Sequence, residues 1–211
     1  MTRSTLKTTI RSLLGEASAD FYTDAKLNEA IYEGMIEMAE ETNAIHGTTT
    51  PTIVAGTGEY PWPANAEVID KITWNNNADG LSYRSHAQLD AEYSDWRGDD
   101  TGTPEHWTDG DTTEYYRLYP MPNVSTTTRV FWHGIPDDLA SDTASPPFRV
   151  AFHRAIAYFA CFFLLSGDPD NEDNLKRASY FYSLFKKRCA RYNDVQNNPS
   201  TEPQFVIMDD H

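Results

Sequence analysis

"PPFRVAFHRAIAYFACFFLLSGDP", residues 146–169, contains the longest apolar run of the chain, AIAYFACFFLL (155–165), and how it is covered decides the fold. Ser145 followed by Pro146 and Pro147 reads as a helix cap with proline at the first helical position. Phe148, Phe152, Ile156, Phe159 and Phe163 then recur at helical spacing and make one heavy apolar face. SGDP (166–169) stops the helix, because glycine suits its C-terminal turn and proline cannot continue it. Eleven apolar residues are too few to span a bilayer, so this face is expected to be buried against other helices.

Those helices lie at both ends of the sequence. Leu6, Ile10, Leu13 and Leu14 mark a first helix over about 3–15, and the absence of a longer apolar run there excludes a secretory signal. Thr23 is a fitting N-cap for a second helix, with Asp24 at the positive end of its dipole and Leu27, Ile31, Met35 and Met38 on one face. Gly34 beside that stripe points to a close helix crossing. A last helix over about 170–194 carries Leu175, Ala178, Tyr182, Phe185, Cys189 and Tyr192. The expected fold class is therefore α+β: a four-helix bundle built from 1–45 and 147–195, with an inserted antiparallel β domain over 46–146 and an extended tail over 196–211. Strand patterns in the insert are TIVA (52–55), EVIDKITW (67–74), YYRLYP (115–120) and TTRVFWHG (127–134), with a short helix near HAQLDAEYSDW (86–96).

Within the insert, GTPEHWTDGDTTEYYRLYPMPN (102–123) is rich in rings and acids. By itself it reads equally as a ligand platform, a catalytic groove or a hairpin whose rings fill a core. Catalysis finds little support elsewhere. His46, His86, His106, His133, His153 and His211 are scattered without metal-ligand spacing. No G-x-S-x-G elbow, phosphate loop or dinucleotide fingerprint is present. The carboxylates of RGDD (97–100) and DGDTTE (109–114) are explained by turn chemistry. No catalytic residue, metal or cofactor is expected. Cys161 and Cys189, inside apolar helical patterns, read as buried reduced thiols of a soluble protein made in a reducing cytoplasm.

Charge carries more information. The 211 residues hold 32 acids against 17 bases, a net −15, which argues against a protein that grips phosphate backbones. Glu29, Glu33, Glu37 and Glu41 stand at successive i, i+4 positions of the second helix as an acidic ridge, opposite its apolar stripe. Lys176, Arg177, Lys186, Lys187, Arg188 and Arg191 crowd the last helix. Separated charges of this kind suit head-to-tail contacts between copies that close a ring. The ridge reads either as a solvated face or as a surface turned to such a neighbour or to a DNA passage. The tail NDVQNNPSTEP (193–203) is linker-like and leads into Phe205, Val206, Ile207 and Met208. Leaving these four in water costs about 2 kcal/mol per large side chain, so they are expected to fold back or to dock into a partner.

Taken in order, these pieces resemble the head–tail connector (adaptor) proteins of tailed bacteriophages, the family that includes tail tubular protein A-like adaptors. The matching stretches are FYTDAKLNEAIYEGMIEMAEET (21–42), YPWPANAEVIDKITWN (60–75), LDAEYSDWRG (89–98), GTPEHWTDGD (102–111), LYPMPN (118–123), RVFWHGIPDDL (129–139) and FRVAFHRAIAYFACFFLL (148–165). The resemblance implies a non-enzymatic structural protein of the virion neck, assembled in the host cytoplasm. It implies a ring of copies, usually twelve, between the portal protein and a tail or nozzle protein, through which DNA passes without specific binding, and no membrane. It also implies three antiparallel strands across 102–136, with Trp107, Tyr116, Tyr119 and Trp132 as the packed face of a small sheet. Two other readings remain open. One is a virion-borne glycan-binding or glycan-cleaving β domain using Trp107, Tyr115, Tyr116 and Trp132. The other is a different neck ring protein, such as a tail completion or stopper protein.

Overall fold

The computed structural model describes residues 1–16, 21–75, 79–93, 95–98, 100–167 and 171–197. Met1–Ile45 and Pro136–His211 segregate as one compact unit, and His46–Ile135 as a second. Helices are numbered along the whole chain, so that α3 (His86–Glu92) belongs to the second unit.

In the first unit, α1 (Arg3–Leu14) ends at Gly15, whose φ of 79° is left-handed. Helix α2 (Asp24–Thr42) starts on Thr23, whose hydroxyl accepts a hydrogen bond from the Lys26 N–H at 3.3 Å. Leu27, Ile31, Met35 and Met38 are all fully buried. The apolar stretch opens later than its prolines predict: a 3-10 turn, Val150–Phe152, leads into α4 (His153–Ser166). The buried His153 donates from Nε2 to the Phe148 carbonyl at 2.8 Å, which ties the extended entry to the helix start. Helix α5 (Glu172–Asn197) buries Ala178, Phe181, Phe185, Cys189 and Tyr192. Phe181 takes the place expected of Tyr182, and Leu175 is exposed.

A four-helix bundle is not what forms. Among the described residues there are five α-helices and ten strands in three sheets. In the first unit α4 packs against α1, α2 and α5 alike. Its buried residues run His153, Ala155, Ile156, Ala157, Phe159, Ala160, Cys161 and Leu165, which takes in most of the helix circumference. A bundle helix shows one apolar stripe to a shared seam. A helix apolar on most sides becomes the centre, and helices of 12, 19 and 26 residues gather on it.

Nor is the β region purely antiparallel. In the first sheet the long β10 (Thr126–Gly134) is central, with β4 (Ala66–Trp74) antiparallel to it and β1 (His46–Thr49) and β2 (Thr52–Ile53) also pairing antiparallel with it. In the second, the order is β3 (Glu59–Pro61), β8 (Tyr115–Tyr119), β7 (His106–Asp109), β5 (Ser82–Tyr83). Strand β5 runs parallel to β7, as β6 (Thr101–Gly102) does to β9 (Met121–Pro122). Strands of two residues have no period to read, so these pairings leave no trace in the sequence. TTRVFWHG therefore does not continue the β7–β8 sheet; it organises the other one. The two sheets share one core, with Ile53, Ile69, Ile72, Trp74 and Val130 from one meeting Tyr60, Trp107, Tyr116 and Leu118 from the other. Gly134 lies so close to the bend before β4 that a Cβ there would sit 2.0 Å from the Asn65 carbonyl oxygen.

An ionic clasp closes the first unit around α1. Lys7 Nζ, nearly buried, donates to Asp24 at the start of α2 (2.9 Å) and to Asp142 in the segment before α4 (3.0 Å). Arg11 bonds Glu16 and Asp24, and Arg3 bonds Asp142 and the Leu139 carbonyl. Burial would push the Lys7 ammonium down, but the two carboxylates outweigh it and hold it above its ordinary value. Asp24, bonded to Lys7 and Arg11, and Asp142, bonded to Lys7 and Arg3, are both held below the usual carboxylate range.

Two outcomes follow from this packing. At Gly34 a Cβ would lie 3.0 Å from the Ile156 carbonyl oxygen and 3.2 Å from its Cγ2. Gly34→Leu is expected to cost about 1–3 kcal/mol in chemical denaturation, while Gly34→Ala recovers about 1 kcal/mol of helix propensity against a milder clash. A Leu variant as stable as the wild type would show that the α2–α4 crossing is not close there. The clasp carboxylates give the second outcome. Their folded pKa values are depressed, so their contribution is complete above about pH 4, the unfolded value, and is lost as pH falls through the lower folded value. An Asp24→Asn/Asp142→Asn variant should be less stable at neutral pH and lose less than the wild type between about pH 4 and pH 2. Parallel acid-unfolding curves would refute this.

Candidate functional site

The histidines stay apart in chemical role. His133 Nδ1 meets Asp70 at 2.7 Å, His106 Nε2 meets the Tyr93 hydroxyl at 3.1 Å, and His86 Nε2 donates to the Asp109 carbonyl at 2.8 Å. No group of three or more His, Cys, Asp or Glu among the described residues could hold a metal ion. No helix among them is long and apolar enough to cross a membrane. Cys161 and Cys189 are free thiols, both pushed up to about 12, chiefly by burial.

Of the rings in the central stretch, Trp107, Tyr116 and Tyr119 are buried, and Trp132 is half-buried. Only Tyr115, pointing the other way along β8, is 40% exposed. Two of the four rings weighed as a sugar-stacking surface are therefore core residues.

The ridge and the basic cluster meet within one chain. Glu29 is exposed, whereas Glu33, Glu37 and Glu41 are half-buried, because α2 turns that flank toward α5. Glu41 pairs with Lys186, and its backbone carbonyl accepts from Asn193 Nδ2 at 3.1 Å. The bond to Glu41 holds Lys186 above its usual value. Glu37 is raised by burial first, then by Glu40 and Glu41, with Lys186 opposing. The remaining cations divide by task. Arg177 donates to the Leu14 carbonyl at 3.0 Å and so caps the end of α1, and Lys176 lies 3.7–3.8 Å from Glu172 and Asp173 of its own helix. Lys187, Arg188 and Arg191 instead flank an open groove of about 550 Å³ with Tyr158, Leu184 and one acid, Asp194. Periodicity alone had placed all six on one helix without separating these roles. Phe205, Val206, Ile207 and Met208 lie outside the described residues.

A second surface was missed by the sequence reading. In the His46–Ile135 unit, Trp62, Tyr83 and Trp107 line a groove of about 400 Å³ with Glu67, Asp70 and Asp109. The Tyr83 ring meets the Trp107 edge with centroids 4.8 Å apart, and its hydroxyl donates to Asp109 at 2.9 Å. Val68, on β4 beside it, is 46% exposed. The only signal of this site in the sequence was an apolar residue at an outward strand position, Val68 between Glu67 and Ile69.

No curated protein matches the chain in sequence. A family model described as SU10 adaptor protein matches residues 1–204, from α1 through the whole of α5. The match names that family and not the narrower tail tubular protein A-like group. With that model matched over nearly its whole length, the chain belongs to the SU10 adaptor protein family.

Proposed function

We propose that this phage structural adaptor works as a non-enzymatic ring of copies in the virion neck, joining the portal protein to a tail or nozzle protein while DNA passes through. The observation that carries the reading is the SU10 adaptor match over 1–204. The division of charge supports it: an acidic chain that nevertheless keeps three cations together on one helix is suited to contacts between unlike surfaces, the kind that closes rings. In this reading the exposed start of the acidic ridge, Glu29 with the half-buried Glu33, borders the DNA passage, where carboxylates repel phosphates and keep the genome from sticking, while Glu37 and Glu41 are turned toward α5. The apolar residues Phe205, Val206, Ile207 and Met208 dock onto the portal.

Electron microscopy and light scattering of the full chain, with and without portal, test the assembly. Portal is expected to collect the chain into a closed ring, and deletion of 198–211, which leaves α5 whole, should abolish that binding. Unchanged portal binding by the truncated chain removes the tail from the docking role, and no binding by the full chain removes the adaptor ring. The ridge is best tested at Glu29 and Glu33, since Glu37 is packed beside Lys186 and Glu41. Glu29→Lys/Glu33→Lys should leave assembly intact while conferring salt-sensitive duplex binding and slowing DNA release. Lost assembly with no gain in DNA binding would put these residues between subunits instead.

A further inference from the structure

Lys187, Arg188 and Arg191 have no carboxylate partner among the described residues, although acids outnumber bases 32 to 17. Their neighbours on α5 are committed to the fold through Glu41 and the end of α1, so these three are what remains for an outside partner. The guanidinium of Arg154 on α4 lies 5.8 Å from the ring of Tyr158, which lines the same groove. The complementary surface is in the other unit. Its groove offers the exposed Tyr83 ring, backed by the buried Trp107, to a guanidinium or ammonium group, and rims it with the exposed carboxylates of Glu67, Asp70 and Asp109, of which Asp70 already bonds His133 and Asp109 the Tyr83 hydroxyl. Arginine prefers this combination, stacking on a ring while forking onto a carboxylate.

We propose that Lys187, Arg188 and Arg191 of one copy enter the acid-rimmed aromatic groove of a second copy. This rests on the ring assembly proposed above and names the two unlike surfaces that join its subunits. The contact is heterologous, so each copy uses its α5 cations on one neighbour and its groove on another. Charge complementarity selects this occupant. A duplex approaching the cations would also meet the field of a chain with net charge −15, and a neutral sugar in the groove would leave the Glu67 carboxylate without a cation.

The heterologous geometry makes a charge-swap experiment decisive. One variant carries Glu67→Lys/Asp70→Lys and the other Arg188→Glu/Arg191→Glu, three of them at exposed positions and Arg188 half-buried, with folding checked by circular dichroism. Sedimentation of the full chain should show each variant self-associating at least about tenfold more weakly than the wild type. An equimolar mixture should recover, because the lysine groove of one fits the glutamates of the other while both unaltered surfaces still match. Arg188→Ala/Arg191→Ala should weaken association in the same direction if a reversal variant fails to fold. Variants that assemble like the wild type would overturn this pairing and leave the ring reading standing. A wild-type chain that neither self-associates at millimolar concentration nor forms rings on portal would overturn both. Loss of binding to a duplex oligonucleotide by the arginine variants, with self-association unchanged, would make the cations a phosphate site and refute the proposal.

Discussion

Helix α4 must be covered on most of its surface, and the first unit is arranged around that need. Each large apolar side chain it presents gains about 1.5–3 kcal/mol from leaving water, and Ile156, Phe159, Cys161 and Leu165 are spread around its axis. One neighbouring helix cannot cover them. The N-terminal helices and α5, which are far apart in sequence, therefore converge on the same core. That convergence is what lets the Lys7 clasp and the Glu41–Lys186 pair exist, since each joins residues that only the covering of α4 brings together.

The same covering sorts the charged residues by availability. Once α2 and α5 lie against the central helix, the flanks facing each other lose their cations and carboxylates to intramolecular pairing. What survives at the surface is the outer side of α5 and the exposed start of the acidic ridge at Glu29. In the second unit a comparable sorting separates the rings. The sheets enclose Tyr116 and Trp107 between them and leave Tyr83 and Tyr115 outside. Surface chemistry is thus what core formation does not consume.

Much of the element content was legible. The cap at Thr23, the apolar stripe of α2, the length of β4 and β10, and the short α3 all come from local patterns that a few residues express. The errors share a cause. A seam in a bundle and a central helix differ only in how much of the circumference is apolar, and of the five phenylalanine and isoleucine positions expected on one face, Phe148 and Phe152 precede α4, Ile156 and Phe159 are buried on it, and Phe163 is exposed. The alanines and Cys161 on the remaining sides are small, and they counted for little in a stripe though they are fully buried.

The sequence by itself determined where helices and long strands form, that the chain is acidic, and, through the order of its motifs, the kind of protein it is. Periodicity and capping act over one or two turns, so they are present in the string of residues. Only the tertiary structure decided that α4 is a hub, that β10 rather than β8 organises the first sheet, and which of six cations remain unpaired. It alone assembled the aromatic groove from residues 62, 67, 70, 83, 107 and 109. Those facts depend on which distant segments exclude water from one another, and burial of that kind is a property of the packed chain, with no local pattern to announce it.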